Sequence, residues 1–229
     1  MKKYMHTLKK AFVATLPVMA AYLVLGAGFG IVLKTKGYGI IWAIAMSLLI
    51  YAGSMQFVAI NLISGGASYL TIALTTLMVN ARHLFYGISM IEKYKDMGKV
   101  KPYLIFSLTD ETYSLVGTDK NEHTKEYYLM VSLLNQLYWI SGSVIGSLLG
   151  SILPFNTEGI DFSLTALFIT IFIDQWRNVT NHFPAALGVI TTLICLLVFG
   201  ADNFLIPAML VITAVLLTVR GREEIFNEY

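Results

Sequence analysis

The sequence predicts an all-α, polytopic membrane bundle, and three observations lead there. Apolar types fill 56% of the 229 residues and charged types only 13%, against about 25% charge in a typical soluble domain. Mean hydropathy is +0.68, as expected where much of the surface faces hydrocarbon. The apolar residues also fall into runs, several near the length of about 20 that a helix needs to cross a bilayer. Helices are the expected solution because lipid cannot satisfy the backbone's polar groups.

The first run, Ala11–Leu33, follows Lys2, Lys3, Lys9 and Lys10. A secretory signal begins in a similar way, but its apolar region spans only about 7–15 residues, so this run reads as a first membrane helix. The next candidates are Gly39–Ile63, Tyr69–Met90, Pro102–Gly117, Tyr127–Leu149, Phe162–Ile173, Pro184–Phe199 and Phe204–Val219. The fourth and sixth are short. The last two, at about 16 residues each, suit thin spans or half-helices. The expectation is about seven to eight membrane segments, with broken or re-entrant helices among them. All lie in one transmembrane domain over residues 1–229. The charged loops Lys93–Lys101 and Asp119–Glu126 are too short for a soluble domain. Eight full crossings with the N-terminus inside give only a weak positive-inside bias, because they place the lysines of Lys93–Lys101 outside. A re-entrant segment before that loop would invert it.

Several functions are excluded. A net charge of +2 gives no reason to expect a nucleic-acid partner. The lone Cys195 allows no intrachain disulfide, and no zinc or haem spacing exists. HExxH, GxSxG and P-loop motifs are absent, so no enzyme activity, metal or cofactor is expected. An intramembrane hydrolase built on His83 and Asp110 is not excluded and stays as an alternative, although no nucleophile stands out.

The informative residues are polar ones inside apolar runs. Asn80, Arg82 and His83 lie in the third, where a central arginine costs about 2.5–3.5 kcal/mol on insertion scales. Helical spacing puts Thr76, Asn80, His83 and Gly87 on one face, and Thr75, Arg82 and Tyr86 on another. The competing reading has Arg82 reaching headgroups from a frayed helix end. Asp110 and Glu111 lie in the fourth run, on a face with Ser107, Ser114 and Thr118. Adjacent acids there need cations, water or protonation, and Arg82 or His83 facing them is the simplest pairing. The alternative is an amphipathic surface helix. In the second run an unbroken helix would gather Ser47, Tyr51, Ser54 and Asn61 on one face and send Gln56 the opposite way. A break at Gly53–Ser54 would re-aim Gln56 and present half-helix ends to a ligand, a recurring transporter device; a continuous helix packed through Gly53 is the other option. Gly142, Gly146 and Gly150 recur at fours, as do Ser143, Ser147 and Ser151, a pattern that permits close helix approach within the chain or with a partner.

These residues resemble the AzlC family, the large subunit of bacterial branched-chain amino acid exporters of the LIV-E type. The resemblance rests on GAGFG at Gly26–Gly30, SLLIYAGSMQF at Ser47–Phe57, VNARHLFYGIS at Val79–Ser89, FSLTDETYSL at Phe106–Leu115 and DFSLTALFITI at Asp161–Ile171. It implies secondary active export of leucine, isoleucine and valine, sometimes methionine, across the bacterial cytoplasmic membrane. It further implies coupling to protons and a small AzlD-type membrane subunit as partner. Site roles follow from the chemistry of a zwitterion. Gly53, Ser54, Gln56, Asn80 and Arg82 are the expected substrate-binding residues, mainly as donors to a carboxylate. Asp110 or Glu111 is expected to meet the ammonium and carry the proton, with His83 as runner-up. A carrier or channel for another small solute is the alternative function.

Overall fold

The computed structural model describes residues 2–117, 124–152, 169, 172, 173, 176, 177, 181–200 and 204–227, with backbone alone at 2, 3, 81, 82, 84, 85, 205, 206 and 220–227. The sixth run, Phe162–Ile173, and the Arg82 side chain with its expected pairing therefore lie essentially outside the described residues. Every element among the described residues is helical, which bears out the all-α reading. The chain forms two compact units, Met1–Ser163 and Leu164–Tyr229. The first holds α1 (Lys2–Thr35), α2 (Ile40–Leu49), α3 (Gly53–Ser64), α4 (Tyr69–Val79), α5 (Ala81–Ser89), a 3-10 turn (Gly98–Val100), α6 (Lys101–Phe106), α7 (Asp110–Val116) and α8 (Lys125–Ile152). The second holds α9 (Phe183–Phe199) and α10 (Leu205–Asn227), which pack on each other around buried Cys195 and Ala208.

Helices α1 and α8 form the frame of the first unit. With 34 and 28 residues they reach about 51 and 42 Å at 1.5 Å per residue, and both are apolar enough to cross a membrane. They run parallel. Lys10 sits over the Tyr127 ring, Thr15 hydrogen-bonds Tyr138, and Lys34 packs on Gly150. Glycine permits this approach. A Cβ on Gly142 would stand 2.7 Å from the Tyr22 carbonyl oxygen, and one on Gly26 would stand 3.0 Å from the Ser143 nitrogen. The Gly142–Gly146–Gly150 ridge is thus filled by α1 of the same chain and offers no outward face to a partner.

The second run does not cross the unit as one helix. Helix α2 ends at Leu49, Tyr51 takes a left-handed φ of +44°, and α3 starts at Gly53. The break falls just before the expected Gly53–Ser54 pair. The chain then turns back on itself. Gln56 Nε2 lies 3.4 Å from Ser47 Oγ, although nine residues of continuous helix would separate their backbones by about 13 Å. Ser47 bonds Ser143 on the way in, and Phe57 packs edge-on to Phe29 on the way out. α2 and α3 form a hairpin that enters the unit from the end where α1 finishes.

The third run does traverse, but α4 and α5 meet at Asn80, whose φ/ψ of −93°/4° break the helix. Its far end, Met90, lies in a core cluster with Ala11, Tyr94, Leu104, Leu108, Val116, Tyr127, Tyr128 and Val131. That cluster joins the starts of α1 and α8 to both ends of the fourth run. The Lys93 ammonium, just past α5, donates to the carbonyls of Val116 and Gly117 at 2.9 and 2.6 Å. The fourth run is therefore also a hairpin, entering from the opposite end. Pro102 opens α6 where its missing N–H is harmless. Thr109 caps α7, its Oγ1 accepting from the Thr112 amide at 3.3 Å.

Candidate functional site

The two hairpins meet tip to tip. The Tyr51 ring, at the turn of the first, lies 6.3 Å from the Phe106 ring, at the turn of the second. Gln136 on α8 ties them together. Its Oε1 accepts from the Tyr103 hydroxyl at 2.8 Å, and its Nε2 donates to the Leu48 carbonyl at 3.5 Å.

A polar cluster fills the junction. The Tyr22 hydroxyl of α1 donates to Glu111 Oε2 at 2.6 Å and lies 2.7 Å from Thr109 Oγ1. Thr109 donates to Thr112 Oγ1 at 3.1 Å, and Asn135 Nδ2 donates to the same oxygen at 3.0 Å. Tyr22, Thr109, Thr112 and Asn135 are all buried, and Glu111 is partly so. An acidic side chain set among buried groups needs a partner, and the Tyr22 hydroxyl supplies a short hydrogen bond.

Beside it stands a second set. Gln56, fully buried, accepts from Trp139 Nε1 at 2.9 Å. The Trp139 ring meets Tyr22 edge-on at 5.3 Å and lies over Gly53, where an added Cβ would come within 3.0 Å of it. Gly53 and Ser54 open α3, so its first-turn amides and positive dipole end point into the junction.

Tyr51 is the anomaly of the site. A left-handed backbone costs a residue with a Cβ about 1–2 kcal/mol. Its side chain is only 3% exposed, and its hydroxyl lies beside Tyr22, Thr109 and Glu111. Tyr22 and Thr109 stand close enough to act on that hydroxyl, yet neither meets it in good hydrogen-bond geometry.

Of the residues singled out from the sequence, Gly53, Ser54, Gln56 and Glu111 converge on this junction. Asp110 shares the first turn of α7 with Glu111. Asn80 and His83 lie instead at the α4–α5 joint, where the Asn80 carbonyl oxygen accepts from the His83 amide and lies 3.2 Å from its Nδ1. Arg82 belongs to α5, with its side chain outside the description. Sequence reading missed Tyr22, Thr109, Asn135, Gln136 and Trp139. The signal for Asn135 and Gln136 was available, since adjacent amides in an apolar run are as anomalous as Asn80.

Comparison with known proteins places this geometry in a family context. The family profile described as AzlC protein matches residues 17–153. The chain is 46% identical over 215 residues to the branched-chain amino acid transport protein AzlC of Bacillus subtilis (strain 168), covering 93% of this chain and 85% of that one. It is 39% identical over 227 residues to a membrane protein of Helicobacter pylori (strain ATCC 700392 / 26695), covering 98% and 100%. A membrane protein of Haemophilus influenzae is 41% identical over 212 residues, covering 91% and 87%. No solved structure matches.

Proposed function

The chain belongs to the AzlC family, and from that premise we propose that it exports branched-chain amino acids across a bacterial cytoplasmic membrane as a multi-pass secondary transporter. The observation that carries this reading is the meeting of two opposed hairpin tips around Glu111. Half-helix ends and an acid at mid-depth are what a zwitterion with an apolar side chain needs. The hairpins also favour one orientation. Lys2, Lys3, Lys9 and Lys10 lie at the end of the unit that carries Lys93, Lys95, Lys99 and Lys101, while Lys34 and Lys36 lie at the other. The positive-inside rule then puts the N-terminus in the cytoplasm.

In this scheme the α3 amides and Gln56 receive the carboxylate, and Glu111 receives the ammonium. A proton and an ammonium neutralise the same carboxylate, so each displaces the other, which is the logic of an antiporter. Asp110 beside it and His83 are the other proton carriers considered, with Asn80 and Arg82 as additional donors. A small AzlD-type subunit completes the exporter. It docks away from the Gly142–Gly146–Gly150 ridge, which α1 occupies.

The test is efflux of labelled leucine from proteoliposomes holding the chain with its small partner. Glu111→Gln should abolish efflux driven by a pH gradient yet retain leucine–leucine exchange, while Asp110→Asn should keep both. Wild-type pH dependence in both variants would place coupling elsewhere. Failure of the wild-type pair to move leucine, with another solute transported, would favour a different cargo.

A further inference from the structure

The Tyr51 hydroxyl stands close to the hydroxyls of Tyr22 and Thr109 but meets neither in good hydrogen-bond geometry. It is buried, and it stands at a strained turn. Natural structures seldom leave such a group without a partner, and those that do commonly reserve it for a ligand. Its setting indicates which ligand. Tyr22, Thr109 and Glu111 are its neighbours, and the proton of Tyr22 is already directed at Glu111. A carboxylate placed there would face another carboxylate. A primary ammonium, with three donors and no acceptor, would find a charge and a phenol oxygen ready to accept.

We propose that the Tyr51 hydroxyl and the Glu111 carboxylate together form the binding site for the primary ammonium group of the substrate, with Tyr51 as its specificity-determining oxygen. The proposal rests on the amino acid transport reading and deepens it. The left-handed turn has a purpose in this scheme. It reverses the chain between α2 and α3, so that the phenol and the α3 amides border one junction at the tips of both hairpins. Ammonium and carboxylate of one α-amino acid are held apart by a single carbon, and the two halves of the site are two residues apart in the chain, Tyr51 and Gly53.

The test uses two fragments of leucine on the purified full-length protein. 3-Methylbutylamine carries the ammonium without the carboxylate, and 4-methylpentanoate carries the reverse. Binding of each is measured by calorimetry for wild type, Tyr51→Phe and Glu111→Gln, with size-exclusion profiles as a check on folding. Tyr51→Phe keeps the ring and the backbone and deletes one oxygen. It should weaken the amine about tenfold, or 1.4 kcal/mol, and leave the acid within about twofold. Glu111→Gln, which keeps an acceptor oxygen but removes the charge, should weaken the amine more than Tyr51→Phe does. Three results would overturn the proposal: no amine binding by wild type, equal amine affinity in Tyr51→Phe, or loss of both fragments together, which marks a structural role. Sodium displacing the amine stoichiometrically would also overturn it, by making the site one for an inorganic cation. Leucine efflux is scored separately, so Tyr51-dependent amine binding without leucine transport would sink the transport reading alone.

Discussion

The two hairpins reach the same junction by different means. The α6–α7 turn is supported by its own side chains. Thr109 caps α7, and Ser107 Oγ bonds back to the Tyr103 carbonyl at 2.8 Å. The α2–α3 turn has neither device. Its N-cap is Ala52, with no side-chain cap, and Tyr51 bears a positive φ. Apart from the Gln56–Ser47 contact across the turn, it is held by Trp139 on Gln56 and by Gln136 on the Leu48 carbonyl, whereas the α6–α7 hairpin adds its bonds to Gln136 and Asn135 to a cap of its own. A turn with local caps keeps its shape when neighbours move, and a turn clamped by another helix follows that helix. Both tips are bonded to α8, but the α2–α3 tip has no cap to fall back on and is expected to be the more sensitive to it.

The largest effect expected is all-or-none and concerns whether both runs are hairpins. In a Cys195→Ala background, Lys36→Cys and Ser64→Cys should react with a membrane-impermeant maleimide from the same side, and Lys99→Cys only from the other. Labelling of positions 36 and 64 from opposite sides would make the second run a true crossing. Next comes the external clamp. Gln56→Leu strands the buried Trp139 N–H and should destabilise the protein by about 1–3 kcal/mol, read as a lower midpoint of thermal unfolding in detergent. Smaller still is loss of the local cap. Thr109→Ala should cost about 1 kcal/mol. A larger loss there than in Gln56→Leu would reverse the comparison, and the locally capped turn would then be the dependent one.

Much of this was legible in the sequence. Run lengths and composition gave the helical membrane class. The conflict between Gln56 and the Ser47–Tyr51–Ser54 face announced a broken second run, because a buried amide demands partners and an unbroken helix could not supply them from one side. The reversal was not legible. A re-entrant hairpin and a span of the same length have the same hydropathy, and only contacts across the turn, such as Gln56 with Ser47, tell them apart. The fourth run gave a hint in its shortness and in Ser107–Thr109 before two acids, a capping signal in mid-run. Tyr22 escaped notice because one tyrosine in a long apolar helix is ordinary. It matters only through the Thr109–Glu111 tip that the second hairpin delivers to it.

The hydroxyl contacts at the junction also keep a count of protons. The number of protons in the row is fixed by chemistry. Glu111–Tyr22, Tyr22–Thr109 and Thr109–Thr112 are three contacts, and Tyr22 and Thr109 bring one proton each. The third must come from one end of the row. In the structure Thr109 donates to Thr112; an ionised Glu111 requires that bond to reverse, with the Thr112 hydroxyl turned toward Thr109 and every proton pointing at the acid. If Glu111 is protonated, the row points the other way and the Thr112 hydroxyl is released, close to an Asn135 whose amide oxygen is buried without a partner. The row thus admits two proton orders, and they differ at its α8 end in the direction of the Thr109–Thr112 bond.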